Sequence, residues 1–260
     1  MVAFPTETVY GLGADATDET AVAHVFAVKG RPRGHPLIVH LGAAAWLDDW
    51  ALAVPDGARS LAAAHWPGPL TLLLRRSPRV PDMITGGRAT VGLRVPAHPV
   101  ALELLDAFGS GLAAPSANRF GRVSPTTAAH VRADLGDDVD LVVDGGPCTV
   151  GIESTIVDCS TDPPSILRHG AVTAADVRAA VGGPVLELDT GESRAPGMLA
   201  SHYAPRAAVV VATDGADAVA RAEEVRRSGR SVDVLDPGVS PDDYARNLYG
   251  WLREADARAL

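Results

Sequence analysis

Short apolar runs punctuated by proline, glycine and arginine alternate along this chain with stretches of helical spacing. "PLIVHL" (36–41), "PLTLLLR" (69–75) and "TVGLRVP" (90–96) each hold a compact apolar core of strand length and predict buried strands. Val2–Phe4, "GLAAP", "LVVDGG", "ESTIVDCS" and "SILRHG" predict five more. "DETAVAHVFAVKG" (18–30) predicts a helix, with acidic residues in its first turn and Gly30 past its end. "PDGARSLAAAHW", "PVALELLDAFG", "SPTTAAHVRADLG" and "TAADVRAAVG" predict further helices. In the third of these Ser124 reads as the N-cap and Pro125 as the first helical residue.

Strands and helices are mixed rather than strictly alternating over 1–182, which predicts a twisted, mixed α/β domain. The periodicity then fades into "GGPVLELDTGESRAPGMLASHYAPRA", and 183–206 reads as a linker. From 207 to 260, "AVVVAT", "GADAVARAEEVRRSGR", "SVDVLDP" and "PDDYARNLYGWLREADARA" predict strand, helix, strand, helix. That makes a small Rossmann-like α/β unit, marginal as an independent domain at this size. The chain enters a strand at once and finishes on an uncapped helical pattern, so both ends read as shortened.

A net charge of −9 gives the molecule no overall field attractive to nucleic acid. Positive charge is instead local: Lys29, Arg31 and Arg33, then Arg75, Arg76, Arg79, Arg88 and Arg94. An acidic protein with one basic lining suits a small anionic ligand better than a long polyanion. Cys148 and Cys159 show neither Cys-x-x-Cys nor zinc-finger spacing. They read as small apolar residues of a reducing compartment. No apolar stretch of about 18 residues and no basic-then-apolar leader is present, so a cytoplasmic, soluble chain with no membrane contact is expected.

Lys29 is the single lysine among 23 basic residues. At the end of its helix it is stabilised against the macrodipole, which alone would explain it. Yet Lys29, Arg31, Arg33 and His35 crowd into seven residues stiffened by Pro32 and Pro36. A rigid donor cluster of that kind suits phosphate, with lysine as a point charge and arginine as a planar fork. "FPTETVYGLGAD" follows a strand and reads either as a tight turn whose hydroxyls and amides face a pocket or as a plain strand-to-helix turn. His40 ends a strand and suits a structural role unless that end opens on a site. Arg94 and Arg168 each end an apolar run, where a buried charge must be paired or reach a ligand. "AAPSANRFGRVSPT" sets Ser116 and Asn118 just after a strand and Ser124 at a helix start, suited to phosphate or adenylate oxygens, or to an ordinary Asx/Ser turn and cap. Glu153, Ser154 and Thr155 open a strand, and edge-strand polarity accounts for them. No nucleophile elbow, Walker A loop, His-Glu-x-x-His or Gly-x-Gly-x-x-Gly motif is present.

Seven segments, "PTETVYGLG", "KGRP...HPLIVH", "WPGPLTLLL", "GLRVPAHP", "APSAN...SPT", "GIESTIVD" and "ILRHG", together resemble the YrdC/TsaC-like family of threonylcarbamoyl-AMP synthases. "APGMLASHYAP" resembles the linker of its longer, two-domain form. The resemblance implies a YrdC-like domain with a concave basic cavity. It implies a nucleotidyltransferase that condenses L-threonine, bicarbonate and ATP into threonylcarbamoyl-adenylate and pyrophosphate. Mg²⁺ would accompany ATP, with no metal held by the protein itself. A downstream tRNA threonylcarbamoyl transferase complex would pass the group to adenosine 37 of tRNA, and a weak contact with tRNA or double-stranded RNA is implied. By position, Lys29, Arg31, His35, Thr90, Ser116, Asn118, Ser124 and Arg168 would meet ATP, with Lys29 and Arg31 catalytic. Thr8, His40, Arg94 and Ser154 would surround threonine, Arg94 taking its carboxylate. His202 and Tyr203 would close over the ATP site.

His35 stands where that family often has asparagine. The family also normally has a helix before the first strand and continues past the last helix here, so a competent site in a less stable scaffold is expected. A monomer is the default expectation. Two rival readings are weaker. An RNA-binding module would need more than one basic patch and an aromatic platform. A carbamoyl-transfer domain of the hydrogenase-maturation kind would carry acylphosphatase and zinc-finger segments, and this chain has neither. An inactive remnant is the third alternative.

Overall fold

The computed structural model describes residues 1–187, 204–235 and 240–260. Strand β1 (Val2–Phe4) pairs antiparallel with β2 (Gly11–Asp15), and helix α1 (Glu19–Lys29) follows. Next come β3 (Ile38–His40), a 3₁₀ turn at Ala44–Trp46 running into α2 (Leu47–Trp50), and α3 (Asp56–His65). Strand β4 (Leu70–Arg75), α4 (Asp82–Thr85), β5 (Thr90–Arg94), α5 (Pro99–Phe108) and β6 (Leu112–Ala113) continue the chain. Then follow α6 (Ala128–Leu135), β7 (Leu141–Val142), β8 (Thr155–Asp158), β9 (Ser165–Arg168), α7 (Ala174–Val181) and β10 (Leu186–Glu187). Helices α8 (Gly215–Arg227) and α9 (Pro241–Ala257) complete the described part.

Among the described residues the strands form one mixed sheet in the order β10-β9-β8-β4-β5-β3-β6-β2-β1-β7. Side-chain alternation divides its central strands between two environments. Val39, Leu70, Leu72, Leu74, Val91, Leu93 and Val157 face the main core, where they meet Trp50, Leu61 and Val177. Ile38, Leu73, Ile156 and Leu167 form a smaller cluster on the opposite face. The parallel register of β3 and β5 pairs His40 with Arg94, one step from Val39 and Leu93. Both charged or polar side chains therefore leave the main core together.

Strand β9 breaks the alternation. Ile166 pairs with Val157, but Arg168 pairs with Ile156, leaving Leu167 as an extra residue in the ladder. The bulge puts Arg168 on the cleft face, where strict alternation would have sent it toward the core with Ile166.

The ends of α1 match the pattern expected from sequence. Asp18 accepts from the backbone of Thr20 and Ala21, and Gly30 turns left-handed with φ 64°. Other expectations are corrected. "FPTETVYGLGAD" is not one turn, because Gly11–Asp15 returns as β2 after a loop over Pro5–Tyr10. Ser124 is not a helix cap: α6 begins four residues later, and its cap Thr127 accepts from the His130 amide. Leu186–Glu187 belongs to the sheet, paired with Ser165–Ile166, and not to the linker. Ala208–Thr213 and Ser231–Leu235 form no strand among the described residues, so only the helices of the expected C-terminal α/β unit are seen. Val209, Val210 and Val211 are 58%, 64% and 87% exposed; apolar character alone makes no strand without a partner edge and a buried face.

Helix α9 docks against the larger domain. Tyr249 is buried in a cluster with Val9 and Val123. Arg253 donates to the carbonyls of Val123 and Ser124 and pairs with Asp134 at 2.6 Å. No helix among the described residues is long and apolar enough to cross a membrane.

Candidate active site

The cleft on the sheet face opposite the main core encloses about 500 Å³, counting its open mouth. The β1–β2 loop supplies Thr6, Thr8 and Val9, and strands β3 and β5 supply His40 and Arg94. Arg31 enters from the turn after α1, and Ser116 from the turn after β6. Glu153, Ser154 and Arg168 close the far wall. Thus Thr8, Arg31, His40, Arg94, Ser116, Ser154 and Arg168, named from sequence, share one cavity.

Lys29, His35, Thr90, Asn118 and Ser124 do not line it. Lys29 lies behind Ser116, buried, with Nζ donating to the carbonyls of Ser116 and of Asn118, the latter at 2.5 Å. Burial, with Arg31 nearby, lowers its pKa to about 7. Asn118 donates to the carbonyls of Arg119 and Arg122 at 2.8 and 2.9 Å. Its Oδ1 has no hydrogen-bond partner. Lysine and asparagine together hold the turn that presents Ser116. His35 leans on Phe120, with ring centroids 5.4 Å apart, and Arg31 lies 5.5 Å from the same ring. Burial and the charge of Arg31 lower the His35 pKa. Thr90 opens β5 opposite Arg75. Ser124 is fully buried and donates its hydroxyl to Glu153 at 2.5 Å. His202 and Tyr203 lie outside the described residues.

Arg94 is tightly engaged. Nε donates to Gly68 O at 3.1 Å, Nη1 to Thr8 Oγ1 at 2.9 Å, and Nη2 faces Glu7 Oε1 at 2.7 Å without hydrogen-bond alignment. Gly68 has to be glycine: an added Cβ would meet the His65 carbonyl at 2.2 Å. Glu7 also accepts from the Ala97 amide at 3.0 Å. Ser154 shares a hydrogen bond with Thr71 and accepts from Arg168 Nη2 at 2.9 Å, while Arg168 Nε donates to the Ser154 carbonyl. His40 is neutral: burial and the Arg94 charge push its pKa to about 3, and its Nδ1 has no partner.

Glu7, Thr71 and Phe120 escape sequence reasoning, because nothing in their local pattern marks them apart from core or loop residues. Glu153 stood beside Ser154 but read as strand-edge polarity. Three guanidiniums face the cleft with one carboxylate, Glu153. The cleft therefore favours anions and offers one acidic contact.

The family model described as "Telomere recombination", named for Sua5, YciO and YrdC, matches residues 1–170. The model described as "Threonylcarbamoyl-AMP synthase, C-terminal domain" matches residues 172–260. The chain belongs to the two-domain Sua5/YciO/YrdC family. Within this family, the threonylcarbamoyl-AMP synthase of Pyrococcus abyssi is 40% identical, over 98% of this chain and 82% of its own. That of Bacillus subtilis is 40% identical, over 95% and 74%. The crystal structure of P. abyssi Sua5 complexed with L-threonine superimposes with a TM-score of 0.91 at 39% identity, covering 98% of this chain and 82% of the other.

Proposed function

We propose that this protein is an L-threonylcarbamoyladenylate synthase, a nucleotidyltransferase. It would join L-threonine, bicarbonate and ATP into threonylcarbamoyl-AMP with release of pyrophosphate. The observation that carries the reading is that seven residues nominated from separate motifs meet in one cationic cleft. The names of the Sua5 relatives and the L-threonine complex of one of them support it.

Chemically, an amine must become a carbamate whose oxygen attacks the α-phosphorus of ATP while the bond to the β-phosphate oxygen breaks. No covalent enzyme intermediate is needed. Positioning and charge stabilisation supply the rate. Arg31 and Ser116 stand toward the phosphates, with Lys29 and Asn118 holding Ser116 from behind. Thr8, His40, Arg94 and Ser154 form the amino-acid end. Arg94 keeps unassigned N–H groups for a carboxylate while Glu7 and Thr8 fix its plane. Arg168 stands at the nucleotide side, with Thr90 and Ser124 supporting from outside the cleft lining, and His202 and Tyr203 would close over it. A magnesium ion would be carried on the triphosphate, where it would supply charge neutralisation. The product would feed a tRNA threonylcarbamoyl transferase.

The test is pyrophosphate release from ATP and Mg²⁺, with and without L-threonine and bicarbonate, for the wild type and Lys29→Ala. Release needing both co-substrates and lost in the variant is expected. No release from folded wild-type protein would overturn the reading.

A further inference from the structure

Carbamate formation at neutral pH needs a proton acceptor, because threonine arrives as an ammonium. Five titratable side chains line the cleft: Arg31, His40, Arg94, Glu153 and Arg168. The guanidiniums stay charged and only donate. His40 would become a buried cation against Arg94 if it took the proton. Lys29 spends its Nζ protons on two carbonyls behind the Ser116 turn. Glu7 is committed to Arg94 and the Ala97 amide. One acceptor facing the cavity is left among the described residues.

We propose that Glu153 receives the threonine ammonium and takes its proton, a role that rests on the synthase reading above. Its carboxylate is fixed by the Ser124 hydroxyl on Oε1 at 2.5 Å. It adjoins Ser154, whose hydroxyl meets Thr71 and Arg168. The balance is simple. The ammonium and bicarbonate give carbamate, one water and one proton. The nitrogen lone pair forms the N–C bond, a C–O bond breaks as water leaves, and the proton goes to the Glu153 carboxylate. The carbamate oxygen then forms its bond to the α-phosphorus as pyrophosphate departs, and Glu153 returns its proton to solvent. Ser124, buried behind the lining, thereby orients the acid–base group.

The experiment compares pyrophosphate release by the wild type, Glu153→Gln and Glu153→Asp at saturating substrates between about pH 7 and 9, with ATP binding by calorimetry. At the lower pH Glu153→Gln should lose about 100-fold or more in kcat, the scale of a general base. Its ATP affinity should hold within about threefold, since the transition-state contact is the one removed. The deficit should shrink by roughly tenfold per pH unit as the free amine accumulates in solution. Glu153→Asp should recover part of the rate. Should Glu153→Gln fail to fold, Glu153→Asp serves: its shorter carboxylate should leave a smaller kcat deficit that shrinks with pH in the same way. A deficit that ignores pH, one abolished by excess Mg²⁺, or one below threefold would overturn the proposal. Absence of threonine- and bicarbonate-dependent release in the wild type would instead remove the synthase reading beneath it.

Discussion

Glu7 and Arg94 face each other at 2.7 Å at the base of the cleft, with side chains only 5% and 4% exposed. The pair joins the β1–β2 loop to β5, so a site motif and a core strand share one electrostatic bond. Removing the acid leaves a buried guanidinium without its counter-charge. Glu7→Ala should destabilise the protein by about 3–5 kcal/mol. Urea unfolding checks this. The double variant Glu7→Leu/Arg94→Met should cost less than the two single changes together, because no charge is left stranded.

Arg253 reaches from α9 to the main chain at Val123 and Ser124 and to Asp134. Its planar fork serves two carbonyls and a carboxylate at once. Arg253→Ala should lower stability by about 1.5–3 kcal/mol, the worth of charge-assisted bonds, and lower kcat more than it raises the KM for ATP, since Ser124, which orients Glu153, loses its support. Arg253→Lys should restore only part of both. Equal stability of Arg253→Ala and wild type in thermal melts would refute the docking role.

Lys29 sets a pH dependence with a definite sign. Its pKa falls from 10.5 in the open chain to about 7 in the folded protein. Between these values the unfolded chain binds the extra proton, so this group's contribution to stability rises with pH. Below about pH 7 both states hold the proton and the burial penalty is complete. A neutral amine still offers two N–H groups to its two carbonyl partners. The stability of wild type minus that of Lys29→Met should therefore grow from pH 7 to 10. A flat difference in denaturation midpoints would refute it.

His40 acts in the acid range. Its pKa drops from 6.5 to about 3 on folding, so the unfolded chain takes up a proton first as pH falls. Its contribution is intact above about pH 6.5 and is lost progressively down to pH 3. His40→Gln should flatten that part of the stability profile, measured as Tm against pH.

Local pattern determined a good part of this molecule. The apolar runs of β3, β4 and β5 and their alternation already place Val39 and Leu93 apart from His40 and Arg94. Asp18 and Gly30 bound α1 because capping needs only nearby backbone. The crowding of Lys29, Arg31 and His35 and the Ser116–Asn118 turn marked the neighbourhood of the cleft, since those residue types are chosen for anions wherever the chain folds.

Only the tertiary structure decided the rest, because the deciding contacts span long separations. Ser124 could cap a helix, but a carboxylate 29 residues away claims its hydroxyl and Thr127 takes the cap. Arg168 reaches the cleft through a bulge, a property of the pairing between β8 and β9 rather than of either strand. Val209–Val211 has the composition of a strand and no described edge to join. Glu7 becomes a site residue only through Arg94, 87 positions further along, and Glu153 joins His40 and Arg168 in one cleft only after folding. Hydrophobic period is read from neighbours in the chain; charge pairing, hydroxyl allegiance and sheet register are settled between segments that meet only after folding.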